Sequence, residues 1–305
     1  MMKVFIELPT WLGDTIMTTP AIENLTNHFN ELEISLLGSY VSTEVLKNHP
    51  SVKNTYINSK NYFDLFCSIK AFGEFDLFIS FRSSLRSKIL KFFIKSKEKY
   101  QFDKDKFSDG HQVEKYNNFL NKSLSIDYIA GELKLHKKIK LKVSEDKVLG
   151  INPGASYGVA KRWYPEKFAE VAKALSNEYK IIIFGGPQEQ DIAADIERYL
   201  IRYDVTDYQN LANKTSINEL INKIANLDLL ITGDSGPMHI AAALKVPTIA
   251  IFGPTSYKET SQWLSKNSKI VNTNLDCQPC MQRKCPLKHH NCMKLIDASD
   301  ILAQI

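Results

Sequence analysis

Asp14 stands in LPTWLGDTIMTTP, residues 8–20, where an apolar strand pattern gives way to a helical one. A carboxylate on such a loop, behind a glycine that lets another backbone come close, can face a cleft and take a proton as a general base. The alternative is a helix cap, a role in which Asp stabilises by about 1 kcal/mol. INPGASYGVAKRW, residues 151–163, is a second loop, with small residues including Ser156 followed by Lys161 and Arg162. Its backbone can approach an anion, and the two cations suit a diphosphate whose charge grows as it departs. A glycine turn with solvated cations is the plainer reading, and GxxxxGK[ST] spacing is absent. The third loop lies in LDLLITGDSGPMHIAAALKVPTIAIFGPTS, residues 227–256, where a strand runs into a helix of small residues. Unpaired N–H groups at the helix start would make an anion site from Gly236 through Pro237 and Met238 to His239, with Ser235 just before it. Asp234 can accept hydrogen bonds from sugar hydroxyls or brace the turn, and a lone histidine such as His239 is as often structural as functional.

The tail CQPCMQRKCPLKHHNC places Cys277, Cys280, Cys285 and Cys292 with two, four and six residues between them, beside His289 and His290. CxxC followed by further Cys or His has zinc-ligand spacing. Reduced thiols bracing a hinge are the plainer account, with Cys67 a separate core residue, and the expected site contains no metal. DKD at 103–105 imitates an acidic metal motif but falls in a Lys-rich loop and is taken as chance.

The elements that must position these residues are short β-rich runs alternating with amphipathic stretches, the pattern of parallel sheets with helical crossovers. Strands are expected at 3–8, 33–38, 53–58 and 75–80, with helices at 15–29, 42–48, 62–72, 85–94 and 111–122. A second series has strands in VLGINP, YKIIIFGG, LDLLITGD and VPTIAIFGP, and helices starting near Pro165, Gln188, Ser216 and Gly236. SINE at 216–219 matches a capping box. The Lys-rich stretch 136–148 reads as a connection. This gives an α/β fold with Rossmann-like domains at 1–147 and 148–305, parallel sheets facing a central cleft, and ligands at the carboxyl ends of the strands. The Cys-containing tail is expected to pack back on the first domain.

With 44% hydrophobic and 24% charged residues, the chain has globular composition. A net charge of +5 permits an acidic ligand but is too low for a dedicated nucleic-acid binder. From Arg82 to Lys99, Arg82, Arg86, Lys88, Lys91, Lys95, Lys97 and Lys99 oppose only Glu98. No apolar run reaches the ~18 residues a membrane span needs. The start, MMKVFIELPTWLGD, meets Pro9 and Asp14 too early for a signal-peptide core, so a cytoplasmic protein is expected. No GxGxxG follows the first strand of either half, against a nicotinamide dehydrogenase.

LGDTIMTTPAI, NPGASYGVAKRW and GDSGPMHIAAALKVPTIAIFGPT resemble, in order and spacing, the lipopolysaccharide heptosyltransferases of glycosyltransferase family nine. The resemblance covers essentially the whole chain and is closest to the heptosyltransferase II branch through PTWLGD, AKRW and the cysteine tail. It implies a GT-B fold, ADP-L-glycero-D-manno-heptose as donor, and no cofactor. The implied acceptor is lipid A-Kdo-heptose, at the cytoplasmic face of the inner membrane. Asp14 matches the family's catalytic base and Lys161 the lysine that neutralises the diphosphate. Ser156, Glu189, Asp234, Ser235, Gly236, Pro237, Met238 and His239 fall in donor-binding segments, and Arg82, Arg86 and His111 could grip anionic acceptor groups. Transfer to Kdo, as in heptosyltransferase I, is the nearest alternative. An epimerase on the same fold and a zinc-containing nucleic-acid or membrane adaptor are further ones, though neither a nucleic-acid motif nor an aromatic platform is present.

Overall fold

Val4, Phe5 and Ile6 are consecutive and fully buried. Burial on both faces is what a central strand of a parallel sheet requires, because helices cover it from either side. The computed structural model describes residues 1–59, 61, 69, 72–154 and 157–305. These form two units, Met1–Lys138 and Ile139–Ile305.

In the first unit, β1 (Met2–Glu7) is followed by helices α1 (Leu12–Met17) and α2 (Thr19–His28). Then come β2 (Leu32–Gly38), α3 (Tyr40–Leu46), β3 (Val52–Ile57), β4 (Glu74–Ser80), α4 (Leu85–Phe93), β5 (Lys95–Gln101) and α5 (Gln112–Leu124). The five strands are parallel in the order β3-β2-β1-β4-β5. Phe5, Leu37, Phe75, Phe78, Leu90 and Ile94 fill the core on one side. The single helix expected at 15–29 is two, divided at Thr18. Pro20 has no N–H to continue the ladder, and the hydroxyls of Thr18 and Thr19 donate to the carbonyls of Thr15 and Ile16, both at 2.7 Å. The helix expected at 62–72 and the core placement of Cys67 fall largely or wholly outside the described residues. β5 has no counterpart in the sequence reading, which saw only a basic stretch. It is an edge strand on which Lys97 pairs with Asp76 at 2.7 Å and Lys95 with Glu74 at 3.3 Å, both on neighbouring β4. Charged edges of this kind discourage pairing with a foreign strand.

In the second unit, β6 (Lys147–Asn152), β7 (Tyr179–Ile183), β8 (Tyr208–Asn210), β9 (Leu229–Gly233), β10 (Thr248–Ile251) and β11 (Ser268–Val271) are parallel in the order β11-β10-β9-β6-β7-β8. The crossover helices include α6 (Pro165–Leu175), α7 (Gln190–Arg202), α8 (Ile217–Ala225) and α9 (Gly236–Ala243). Ser216 and Glu219 form the expected capping box on α8. The tail is fastened to this unit: Trp163 Nε1–H donates to the Ile296 carbonyl at 3.0 Å, and Cys292, Met293, Ile296 and Ile301 join its core.

The units divide between Lys138 and Ile139, nine residues before the expected boundary, and the contacts of the connection explain why. Lys134 and His136 hold Glu23 of α2 at 2.8 and 2.5 Å. Six residues further on, Lys142 bonds Asp228 and Asn226 of the second unit.

Candidate active site

The carboxyl ends of β6, β9 and β10 bring the loops of the second unit together. Lys161 closes a short 3-10 turn, Val159–Lys161, and its Nζ lies 2.5 Å from Asp234 Oδ2 just after β9. Thr255, after β10, donates its hydroxyl to the same carboxylate oxygen at 2.7 Å. The side chains of Lys161 and Asp234 are only 11% and 6% exposed, and the ammonium also sits 4.7 Å from the centre of the Tyr157 ring. A nearly buried lysine paired in this way is held in a fixed position at the strand ends, its charge offset by Asp234. Ser235 precedes α9 but does not cap it. Its hydroxyl is held by Asn152 Nδ2 at 3.0 Å and Thr232 Oγ1 at 3.1 Å, which ties the end of β6 to the end of β9.

Glu189 is buried, and its carboxylate accepts the Gly186 N–H at 2.6 Å. A Cβ at Gly154 would lie 2.0 Å from Glu189 Cγ, so the NPG and FGG segments meet around this one side chain. Arg162 links the same two loops by donating to the Gln188 carbonyl at 2.7 Å and pairing with Asp191 at 3.2 Å. The Ile192 backbone N–H, with Arg162 adding to it, holds the Asp191 carboxyl below its usual range against the opposing effect of burial. The side chain of Met238 is fully buried with Ala250 and Phe252, so this residue can offer a ligand its backbone alone. His239 is buried one turn into α9, and Ser156 lies outside the described residues.

In the first unit Asp14 is the third residue of α1, not its cap; the cap position is Trp11, which makes no side-chain cap bond. A carboxylate in the first turn is favoured by the helix dipole. Asp14 is half-buried, and its charge acts on Tyr116 of α5, whose phenol is pushed well above its ordinary value by burial first and by Asp14 second. Arg82 is 3.6 Å from Glu7, a carboxylate sealed under the end of β1 that also accepts the hydroxyls of Ser80 at 2.6 Å and Ser87 at 3.0 Å. Burial raises the Glu7 pKa despite those partners. Arg86 donates to Asn58 Oδ1 at 2.9 Å and to the Ser59 carbonyl. His111 is the N-cap of α5, its Nδ1 accepting from the Val113 N–H at 3.2 Å, with Glu114 completing a capping box.

Among the described residues, one group of possible metal ligands comes within 4.8 Å of one another: Glu23, His49 and His136. Its chemistry is that of a charge clasp. His49 Nδ1 accepts the Ser51 N–H at 3.2 Å, so a neutral His49 carries its proton on Nε2, facing Glu23. Lys134 already supplies a cation on the other carboxylate oxygen.

Thr255, Asn152 and Thr232 were missed by the sequence reading although they lie in the quoted motifs. Their position at strand ends beside Asp234 and Ser235 was the signal that could have found them.

Two consecutive parallel α/β units are the architecture of the GT-B fold. The model of glycosyltransferase family 9 (heptosyltransferase) matches residues 65–291, and the chain belongs to that family. It is 44% identical over 310 residues to lipooligosaccharide heptosyltransferase 2 of Campylobacter jejuni subsp. jejuni serotype O:2, covering 99% of this chain and 97% of the relative. The lipooligosaccharide heptosyltransferase 2 of Haemophilus influenzae is 27% identical, covering 88% of each chain. The structure of Escherichia coli ADP-heptose lps heptosyltransferase II matches with a TM-score of 0.79 at 22% identity, over 99% of this chain and 97% of that one. Family membership makes the chain a glycosyltransferase and sets aside the adaptor reading.

Proposed function

We propose that the chain transfers heptose from ADP-L-glycero-D-manno-heptose to the inner core of a lipooligosaccharide, adding the second heptose with inversion at the anomeric carbon. The observation that carries this reading is the Lys161–Asp234–Thr255 cluster beside the start of α9, a preformed site for a departing diphosphate. Full-length similarity to proteins named heptosyltransferase 2 supports the choice of acceptor. Asp14 takes the proton of the acceptor hydroxyl. That oxygen bonds to the anomeric carbon as the bond from carbon to ADP breaks, and ADP leaves with the electron pair. Lys161 meets the growing charge, an effect worth several kcal/mol in a preorganised site, and the transfer step needs no metal. Asp234 serves the donor sugar and Glu189 the nucleoside side, while Arg82, Arg86 and His111 serve the acceptor's anionic groups.

The test is transfer from ADP-heptose to acceptors ending in Kdo or in a first heptose, with wild type and Asp14→Asn compared. Turnover on the heptose-ended acceptor, lost by at least ~100-fold in the variant while ADP binding survives, is the expected result. Turnover on the Kdo-ended acceptor alone would make the enzyme heptosyltransferase I-like, and no ADP binding at all would defeat the reading.

We further propose peripheral association with the cytoplasmic face of the inner membrane. No helix of the described residues is long and apolar enough to cross a membrane. α4, however, exposes Leu85 (70%) and Phe92 (77%) beside Lys88, apolar and basic groups suited to an anionic bilayer surface. Replacing Leu85 and Phe92 together by Ser is expected to abolish co-sedimentation with anionic vesicles while sparing transfer to a soluble acceptor. Unchanged sedimentation would move the contact elsewhere.

A further inference from the structure

The four tail cysteines are not needed by the transfer chemistry, yet the fold gathers them. Cys277, Cys280, Cys285 and Cys292 line one cavity of about 20 Å³ together with His289 and His290. A water-sized particle needs about 10–15 Å³ measured in this way. Both histidines are committed to other partners. His290 Nε2–H donates to the Ala160 carbonyl at 2.9 Å and its Nδ1 faces the Tyr164 hydroxyl at 3.3 Å. His289 Nδ1 accepts the Asn291 N–H at 2.9 Å. With Nδ1 accepting, a neutral His289 carries its proton on Nε2, which leaves the four sulfurs as donors.

The backbone around Cys285 turns toward its sulfur. The N–H of His290 points at that sulfur at 3.4 Å. Lys288 and His290 take left-handed conformations, with φ of 60° and 55°, which turn the chain around that sulfur. The same loop carries the cations Arg283, Lys284 and Lys288.

We propose that Cys277, Cys280, Cys285 and Cys292 bind one divalent metal ion in a tetrahedral all-sulfur site, the donor set of zinc or ferrous iron. Four thiol protons leave as the ion binds, so affinity rises with pH. The sulfurs ring the cavity more loosely than the 4.8 Å mutual spacing of the Glu23 group, and ion binding draws them inward. The site's structural consequence lies in the loop it grips. The Arg283 carbonyl accepts the Ala160 N–H at 3.2 Å, and the Met281 carbonyl accepts the Tyr157 hydroxyl at 2.7 Å. A Cβ at Gly158 would lie 2.6 Å from the Arg283 carbonyl oxygen. The metal loop is therefore a brace on residues 157–161, which deliver Lys161.

The test is elemental analysis of the full chain purified anaerobically without chelator, then incubated with zinc, ferrous iron or cobalt and desalted. One equivalent of metal per chain is expected, with zinc and iron told apart by the analysis, and cobalt giving the visible bands of a tetrahedral thiolate complex. Cys277→Ser combined with Cys292→Ser should lose the ion, whereas His49→Ala should keep it, separating this site from the Glu23 group. If the double variant does not fold, titrating wild-type thiols with an organomercurial should release the ion in step with four cysteines. Failure to load any of the three metals, disulfides among these cysteines in the anaerobic protein, or retention of metal by the double variant overturns the proposal. A several-fold weaker affinity for ADP after metal removal tests the brace; it rests on the donor site proposed above, whereas the metal content does not.

Discussion

Glu189 and Gly154 form a side chain and the space made for it. With the Glu189 carboxylate anchored on the Gly186 N–H at 2.6 Å, an added methyl at Gly154 meets Cγ at 2.0 Å and Cβ at 3.0 Å, atoms that cannot swing away freely. Gly154→Ala is expected to destabilise the protein by about 1–3 kcal/mol, the usual range for overpacking. Adding Glu189→Ala should recover much of that loss, a coupling that denaturant unfolding of both single variants and the double would read directly. Additive losses would mean that the two residues do not share the space. Lys161 and Asp234 stand out in the sequence as candidates because small residues surround each at the end of a strand pattern, and Asp14 because it follows Gly13 where a helical pattern starts. Thr255 does not, since its purpose arises only when β10 lies beside β9 and brings its hydroxyl within 2.7 Å of Asp234. Met238 can enter the anion site only through its backbone, since the helix turns its side chain into the core.

At the scale of elements, the glutamate of α2 joins three parts of the first unit. Glu23 receives His49 at 3.3 Å from beyond α3, and Lys134 and His136 from the connecting segment. Burial alone would raise its pKa, but hydrogen bonds from His49, Lys134 and His136 outweigh it and hold the carboxyl well below its ordinary value of 4.5. A depressed pKa stabilises the fold above the unfolded value, and that contribution fades as pH falls below about 4.5 toward the folded one. Glu23→Gln should therefore lower stability by roughly 1–3 kcal/mol at neutral pH. The gap from wild type should narrow between pH 5 and pH 3 in urea unfolding; a gap unchanged over that range would show that the clasp does not act through the carboxylate charge. Such a junction is invisible to periodicity, because its members are scattered over 23 to 136 and none belongs to a chemical motif. The central strands, by contrast, were readable from their apolar runs. β5 was hidden because an edge strand built as KSKEKYQ carries no apolar alternation.

Over the whole chain, the proposed roles follow the division of the fold. Lys161, Asp234, Thr255, Asn152 and Ser235 all belong to Ile139–Ile305, and Asp14, Arg82 and Arg86 all belong to Met1–Lys138. Each unit has its own parallel sheet and buried core, and the attachments of Lys134 and His136 to one unit and of Lys142 to the other leave only a few residues between them. The sequence placed this seam in the right Lys-rich stretch but too late, since charge density marks a connection without showing which lysines are anchored to which side. If the donor site is complete within the second unit, residues 139–305 expressed alone should fold cooperatively and bind ADP with an affinity close to that of the full chain. They should show no transfer to any acceptor, because the proposed base is on the other unit. Calorimetric titration with ADP decides the matter. Affinity within a few-fold of the intact protein places the donor contacts in this unit, while loss of binding by a well-folded fragment would mean that residues before 139 complete the nucleotide site.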